Sequence, residues 1–129
     1  MRWISIKAVF MGIVTTLTID LMTSIAMLLL WPRDGAEGVA ADAVPVFLQP
    51  THLAVALVLG TVSTAIGGAV CARQAPALPY WNTAAYGAAG VVIGMLLADP
   101  AQPAWFSALA WLATIPAALV GARITLQRA

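Results

Sequence analysis

Residues 51–72 read THLAVALVLGTVSTAIGGAVCA, a run without a single Asp, Glu, Lys or Arg. An α-helix rises about 1.5 Å per residue, so roughly 20 residues cross a hydrocarbon core about 30 Å thick. This run is long enough to span a bilayer, and the sequence on either side repeats the pattern. Residues 74–98 and 100–122 carry no charge, and Asp20 is the one charge between Lys7 and Arg33. The spacing predicts helices near 4–30, 51–72, 81–98 and 103–124. Strands are excluded, because open strands of this length would leave backbone groups unpaired in lipid, whereas helices satisfy them internally. Composition agrees: 62% of the 129 residues are hydrophobic and 9% charged, against about 45–50% and 25% in an average soluble domain. Six Lys/Arg and five Asp/Glu cannot coat a water-exposed surface of this size. The expectation is therefore an all-α polytopic membrane protein, a single domain over residues 1–129. Its four transmembrane helices would form a compact antiparallel bundle with the lipid bilayer as its principal partner.

Turn residues punctuate the same scheme. Trp31-Pro32-Arg33-Asp34-Gly35 stops the first helix, and Pro50-Thr51 starts the second, with the Thr51 hydroxyl as candidate cap. Pro76 and Pro79 break the chain before the third helix. Asp99-Pro100 and Pro103 make the turn into the fourth, with Pro103 suited to a first helical position. Pro116 falls inside helix four and is the candidate kink or hinge. Arg2, Lys7, Arg73, Arg123 and Arg128 lie on one side of the predicted spans, and Arg33 alone lies on the other, among Asp34, Glu37 and Asp42. The positive-inside rule then places both termini in the cytoplasm of a multi-pass protein of the bacterial inner membrane. Trp3 and Tyr80-Trp81 would mark the inner boundary, Trp31 and Trp105-Phe106 the outer one. The first segment is longer than a signal-peptide core, so it is read as a retained span. The outer loop 32–49, rich in Ala, Gly and acidic residues, suits a coil or interfacial turn.

Small residues recur at a spacing of four: Ala8, Gly12, Thr16, Asp20 and Ser24 in helix one, and Ala56, Gly60, Thr64, Gly68 and Ala72 in helix two. Helix three offers Tyr86, Gly90, Gly94 and Ala98; helix four, Ala113, Ala117 and Gly121. Such faces let helix backbones approach closely in lipid, where no hydrophobic drive pulls helices together. Gly12, Gly60, Gly68, Gly90, Gly94 and Gly121 are the expected packing positions, within the bundle or between subunits of a homo-oligomer or larger membrane complex. Leu28, Leu57, Val58, Leu96, Leu97 and Leu109 would face lipid.

Asp20 stands midway between Lys7 and Arg33, near the bilayer centre. An ionised carboxylate there costs about 2.5–3.5 kcal/mol on insertion scales, so intramembrane acids mark functional sites by default. With no Lys or Arg at matching depth, a protonated or strongly hydrogen-bonded Asp20 facing the bundle interior is expected. Thr16, Ser24, Thr64 and Trp111 are its candidate companions, with Thr23, Ser63 and Thr114 at similar depth. The site serves either as an interhelical hydrogen bond or as a proton, cation or substrate contact. His52 lies about ten residues from the middle of its helix, hence roughly 15 Å from the midplane, and reads as an interfacial polar residue. Cys71, the one cysteine, reads as a small packing residue.

HExxH, Walker A, GxSxG and CxxC patterns are all missing, and Ser63 has neither His nor Lys at its depth to activate it. No enzymatic chemistry, cofactor or metal site is expected, and a net charge of +1 excludes a nucleic-acid surface. The segments GIVTTLTIDLM (12–22), GTVSTAIGGAVCAR (60–73) and PAALVGAR (116–123) make the chain resemble small four-helix bacterial inner-membrane proteins of no assigned function. Gly12 to Asp20 also resembles the first helix of GtrA-like proteins, a likeness that implies a four-helix flippase for polyprenyl-linked sugars. The second helix lacks the Asn-Arg-aromatic ending of that family. The leading functional expectation is an accessory or structural membrane subunit. The alternative is a small proton- or cation-coupled transporter or lipid-linked-substrate flippase using Asp20.

Overall fold

The computed structural model describes residues 4–31 and 45–128. It contains four helices, α1 (Ile6–Leu30), α2 (Pro50–Gln74), α3 (Pro79–Leu96) and α4 (Ala104–Gln127), with a 3-10 turn at Val46–Leu48 before α2. Arg2, Trp3 and residues 32–44, which carry Arg33, Asp34, Glu37 and Asp42, lie outside the described residues. Helices α1, α2 and α4 are long and apolar enough to cross a membrane. Helix α3 is the exception: Pro79, Tyr80, Trp81, Asn82 and Thr83 make its first turns polar and aromatic.

The helix starts differ in detail from expectation. Ser5 caps α1, its hydroxyl accepting from the Ala8 N–H. Thr51 is not a cap: Pro50 already occupies the first turn of α2, Gln49 is the flanking residue, and no side chain caps it. Helix α3 begins at Pro79, two residues before the predicted start, because Leu78 turns the chain with φ 49°. Pro103 flanks α4 from outside rather than opening it. Pro116 lies within α4, which continues to Gln127.

Consecutive helices run in opposite directions, as the residue pairs show. Gly12 of α1 lies against Gly67 and Cys71 of α2, while Thr16 and Asp20 meet Ser63, so the two helices count in opposite senses. Gly87, Gly90 and Gly94 of α3 face Ile115, Thr114 and Trp111 of α4 in the same inverted order. Helix α2 touches all three others, whereas α1 and α4 make no contact. The core is thin and built of small residues, with Ala8, Cys71, Tyr86 and Ala118 at its centre.

The tightest junction joins α2 to α4. A Cβ added at Gly68 would stand 2.7 Å from the Ala118 Cα, and one added at Gly121 2.7 Å from the Ala65 carbonyl carbon. Carbon atoms pack at about 3.5–4.0 Å, so both positions require glycine. Gly12 sits more loosely, 3.0 Å from the Gly67 oxygen by the same construction. A Cβ added at Gly94 would make ordinary contact with Trp111 at 3.5 Å, and one at Gly90 would press more closely on the Thr114 methyl at 3.3 Å. Gly60 packs against no other helix within the chain: no atom lies within 4 Å of its added Cβ. Helical geometry explains the difference. Four residues at 3.6 per turn overshoot a full turn by about 40°, so two steps from Gly60 to Gly68 rotate the face by about 80°. Gly68 thereby meets α4 while Gly60 does not.

Candidate functional site

Asp20 reaches the bundle interior because it follows Gly12 and Thr16 on the α1 face that meets α2. Ser63 of α2, fully buried, donates its hydroxyl to Asp20 Oδ1 and also lies 2.9 Å from the Gly60 carbonyl oxygen. No residue donates to Asp20 Oδ2 among the described residues. Thr16, one turn earlier, bonds the Tyr86 hydroxyl at 2.5 Å and the Ser63 carbonyl at 3.4 Å. Tyr86, 2% exposed, also donates to the Thr64 carbonyl at 3.2 Å. A polar layer therefore crosses α1, α2 and α3: Asp20 to Ser63, Thr16 to Ser63, and Thr16 to Tyr86. Gly67 makes room for it, since a Cβ there would overlap both the Thr16 and Tyr86 hydroxyls.

Above this layer the helices enclose a cavity of about 280 Å³. Asp20, Thr61 and Thr64 line it together with Gly60, Gly90 and Gly94. Apolar surface comes from Ile13, Leu17, Leu57, Ile93 and Phe106. Leu17, 48% exposed, also lies on the lining, and the cavity is only partly enclosed. A second cavity of about 270 Å³ between α3 and α4 shares Gly90, Gly94 and Thr114 with the first and adds Trp111 and Gln102.

Not all of the sequence-predicted companions of Asp20 gather around it. Thr16 joins the polar layer, and Thr64 lines the cavity while its hydroxyl bonds the Gly60 carbonyl. Ser24 is exposed on the following turn of α1. Trp111 lies against Gly94; matching depth does not bring it to Asp20, because α4 never touches α1. Thr23 bonds carbonyls of its own helix. Leu57 lines the cavity, as does the largely exposed Leu97, while Leu28, Val58, Leu96 and Leu109 are exposed away from it.

Asn82 and Gly67 carry more of the structure than the sequence signalled. Asn82 is fully buried; its Oδ1 accepts the Ser5 N–H at 2.5 Å, and Nδ2 donates to the Ala77 and Leu78 carbonyls at 2.9 and 3.0 Å. It thereby ties the start of α1 to the turn between α2 and α3. At the opposite end of the bundle, Trp31 packs edge-on against His52 with ring centroids 4.8 Å apart. In comparisons with family models, curated proteins and solved structures, none matches this chain.

Proposed function

We propose that the chain is a multi-pass transport protein of the bacterial inner membrane, with four spans, both termini in the cytoplasm, and Asp20 as the polar anchor of its substrate site. One observation carries this reading: Asp20 lines an open interhelical cavity with one carboxylate oxygen uncommitted. A purely structural acid would spend both oxygens on its neighbours, since unpaired polar groups are costly in an apolar interior. The accessory-subunit reading draws on the small-residue faces. Gly12, Gly67, Gly68 and Gly121 are occupied within the bundle, which shifts the weight toward the cavity. Pro116, exposed in α4, supplies the hinge about which that helix would move. The reading involves no catalysis, cofactor or metal.

The test uses Gly60→Cys in a Cys71→Ala background, in sealed proteoliposomes. Gly60 lines the cavity and has open space beside it, so the new thiol reports on access. A membrane-impermeant thiol reagent is applied from outside or trapped inside. Translocation requires modification from both faces in turn. Reaction from neither face would return Asp20 to a packing role, and reaction from one face alone would reduce the site to binding without transport.

A further inference from the structure

The hydrogen-bond bookkeeping of the cavity identifies the kind of molecule it takes. Thr61, Thr64 and Thr114 each give their hydroxyl hydrogen to a carbonyl four residues back in the same helix, at 2.7 Å in all three cases. The hydrogens of Thr16 and Tyr86 are likewise committed, to each other and to the Ser63 and Thr64 carbonyls. The hydroxyl hydrogens on the lining are therefore all engaged within the protein, which leaves a ligand no free hydroxyl donor. Asp20 adds a carboxylate, which when ionised only accepts. No Lys, Arg or His lies on the lining. A phosphate, carboxylate or other acceptor-rich ligand would find neither a donor nor a compensating charge there. This argues against the anionic lipid-linked substrate that the GtrA-like resemblance implies.

An ammonium group has the complementary inventory, with three donors and no acceptor. It also carries the charge that lets a carboxylate remain ionised away from water, because buried ions are tolerated when paired and hydrogen-bonded. The rest of the lining is apolar, with Ile13, Leu57, Ile93 and Phe106 around the glycines. About 280 Å³ holds roughly nine groups of water size, at about 30 Å³ each. We propose that the cavity binds a compact lipophilic monoamine, its ammonium on Asp20 and its hydrocarbon or aryl body among Ile13, Leu57 and Ile93. This assignment rests on the transport reading above, and it names the substrate class.

The full chain in phosphatidylcholine nanodiscs is titrated with radiolabelled 2-phenylethylammonium, and uptake by empty discs is subtracted. Saturable binding is expected, with 2-phenylethanol, which has the same body without the charge, failing to compete. Asp20→Asn should weaken binding at least tenfold. Gly60→Leu puts a large side chain on the cavity wall, where no atom lies within 4 Å of an added Cβ, so it should abolish binding without lowering the unfolding midpoint. That variant keeps the test decisive even where Asp20→Asn folds poorly. Absence of saturable binding, competition by 2-phenylethanol as strong as by the amine, or undiminished binding to Gly60→Leu would each overturn the assignment. The thiol-access experiment is independent of it: access from both faces without amine binding removes the monoamine and leaves transport standing, whereas loss of access removes both.

Discussion

Gly60→Ala and Gly68→Ala place the same methyl group in the same helix, eight positions apart, and should move stability in opposite directions. At Gly68 the new carbon would lie 2.7 Å from the Ala118 Cα and 2.8 Å from its carbonyl carbon. Restoring a contact of about 3.5 Å requires α2 and α4 to separate by about 0.8 Å. Both opposing atoms are backbone, so no rotamer change relieves the clash. Overpacking of this kind costs about 1–3 kcal/mol, with the upper half applying to a junction without flexible side chains. Helix propensity returns about 0.8–1 kcal/mol, which leaves Gly68→Ala destabilised by about 1–2 kcal/mol. At Gly60 nothing lies within 4 Å, the propensity gain stands alone, and the variant should be more stable by up to about 1 kcal/mol. The difference between the two is thus about 2–3 kcal/mol. Because the substitutions are chemically identical, contributions from partitioning and from the unfolded helix largely cancel. Steric trapping in bicelles, or an SDS titration followed by helicity, reads this difference directly. Equal losses at both sites would refute the assignment of Gly68 to the α2–α4 junction and of Gly60 to the cavity wall.

Two polar contacts and one left-handed residue give three further expectations. Asn82→Ala strands the Ser5 N–H and releases the Ala77 and Leu78 carbonyls, so a loss of about 1–3 kcal/mol is expected. It should be accompanied by faster amide exchange at the start of α1, and unchanged exchange there would contradict the tie. Tyr86→Phe removes one hydroxyl from the Thr16–Tyr86–Thr64 chain and should cost about 0.5–1.5 kcal/mol by the same unfolding assays. A neutral result would mean that the layer contributes nothing to stability. Leu78→Gly relieves a left-handed residue at φ 49° and should stabilise by up to about 1 kcal/mol, visible as a raised unfolding midpoint. A lowered midpoint would show that the Leu78 side chain outweighs its backbone strain.

Charge-free runs made the helices legible, because a span is a property of composition and length. Ends were harder. Pro79 and Pro103 look alike in sequence, yet one opens α3 and the other flanks α4, since the turn between Gln74 and Pro79 passes through a left-handed Leu78. Asp20 was legible as a lone charge between Lys7 and Arg33, and Thr16 as its neighbour one turn away. Ser63 stands in sequence only among several hydroxyls at its depth, whereas Trp111 is singled out as a companion of Asp20. What separates them is which helices touch, and that α1 avoids α4 is not written in any one helix. The spacing-of-four stripe includes Gly60, which meets no other helix within the chain, and passes over Gly67, which does. Gly67 and Gly60, seven apart, differ by only about 20°, so they share a side of α2 and differ in position along it: Gly67 meets Thr16 and Tyr86, while Gly60 opens on the cavity.

The polar beginning of α3 bears on how the chain is made. A segment opening with Pro79, Tyr80, Trp81, Asn82 and Thr83 is a poor substrate for insertion by itself as it leaves the ribosome, unlike α1, α2 and α4. In the finished bundle Asn82 is already held by Ser5, and Tyr86 by Thr16, both contributed by residues synthesised long before. On the proposed topology, α3 would take its place beside helices that already carry the partners of its polar groups, with Ser5 for Asn82 and Thr16 for Tyr86.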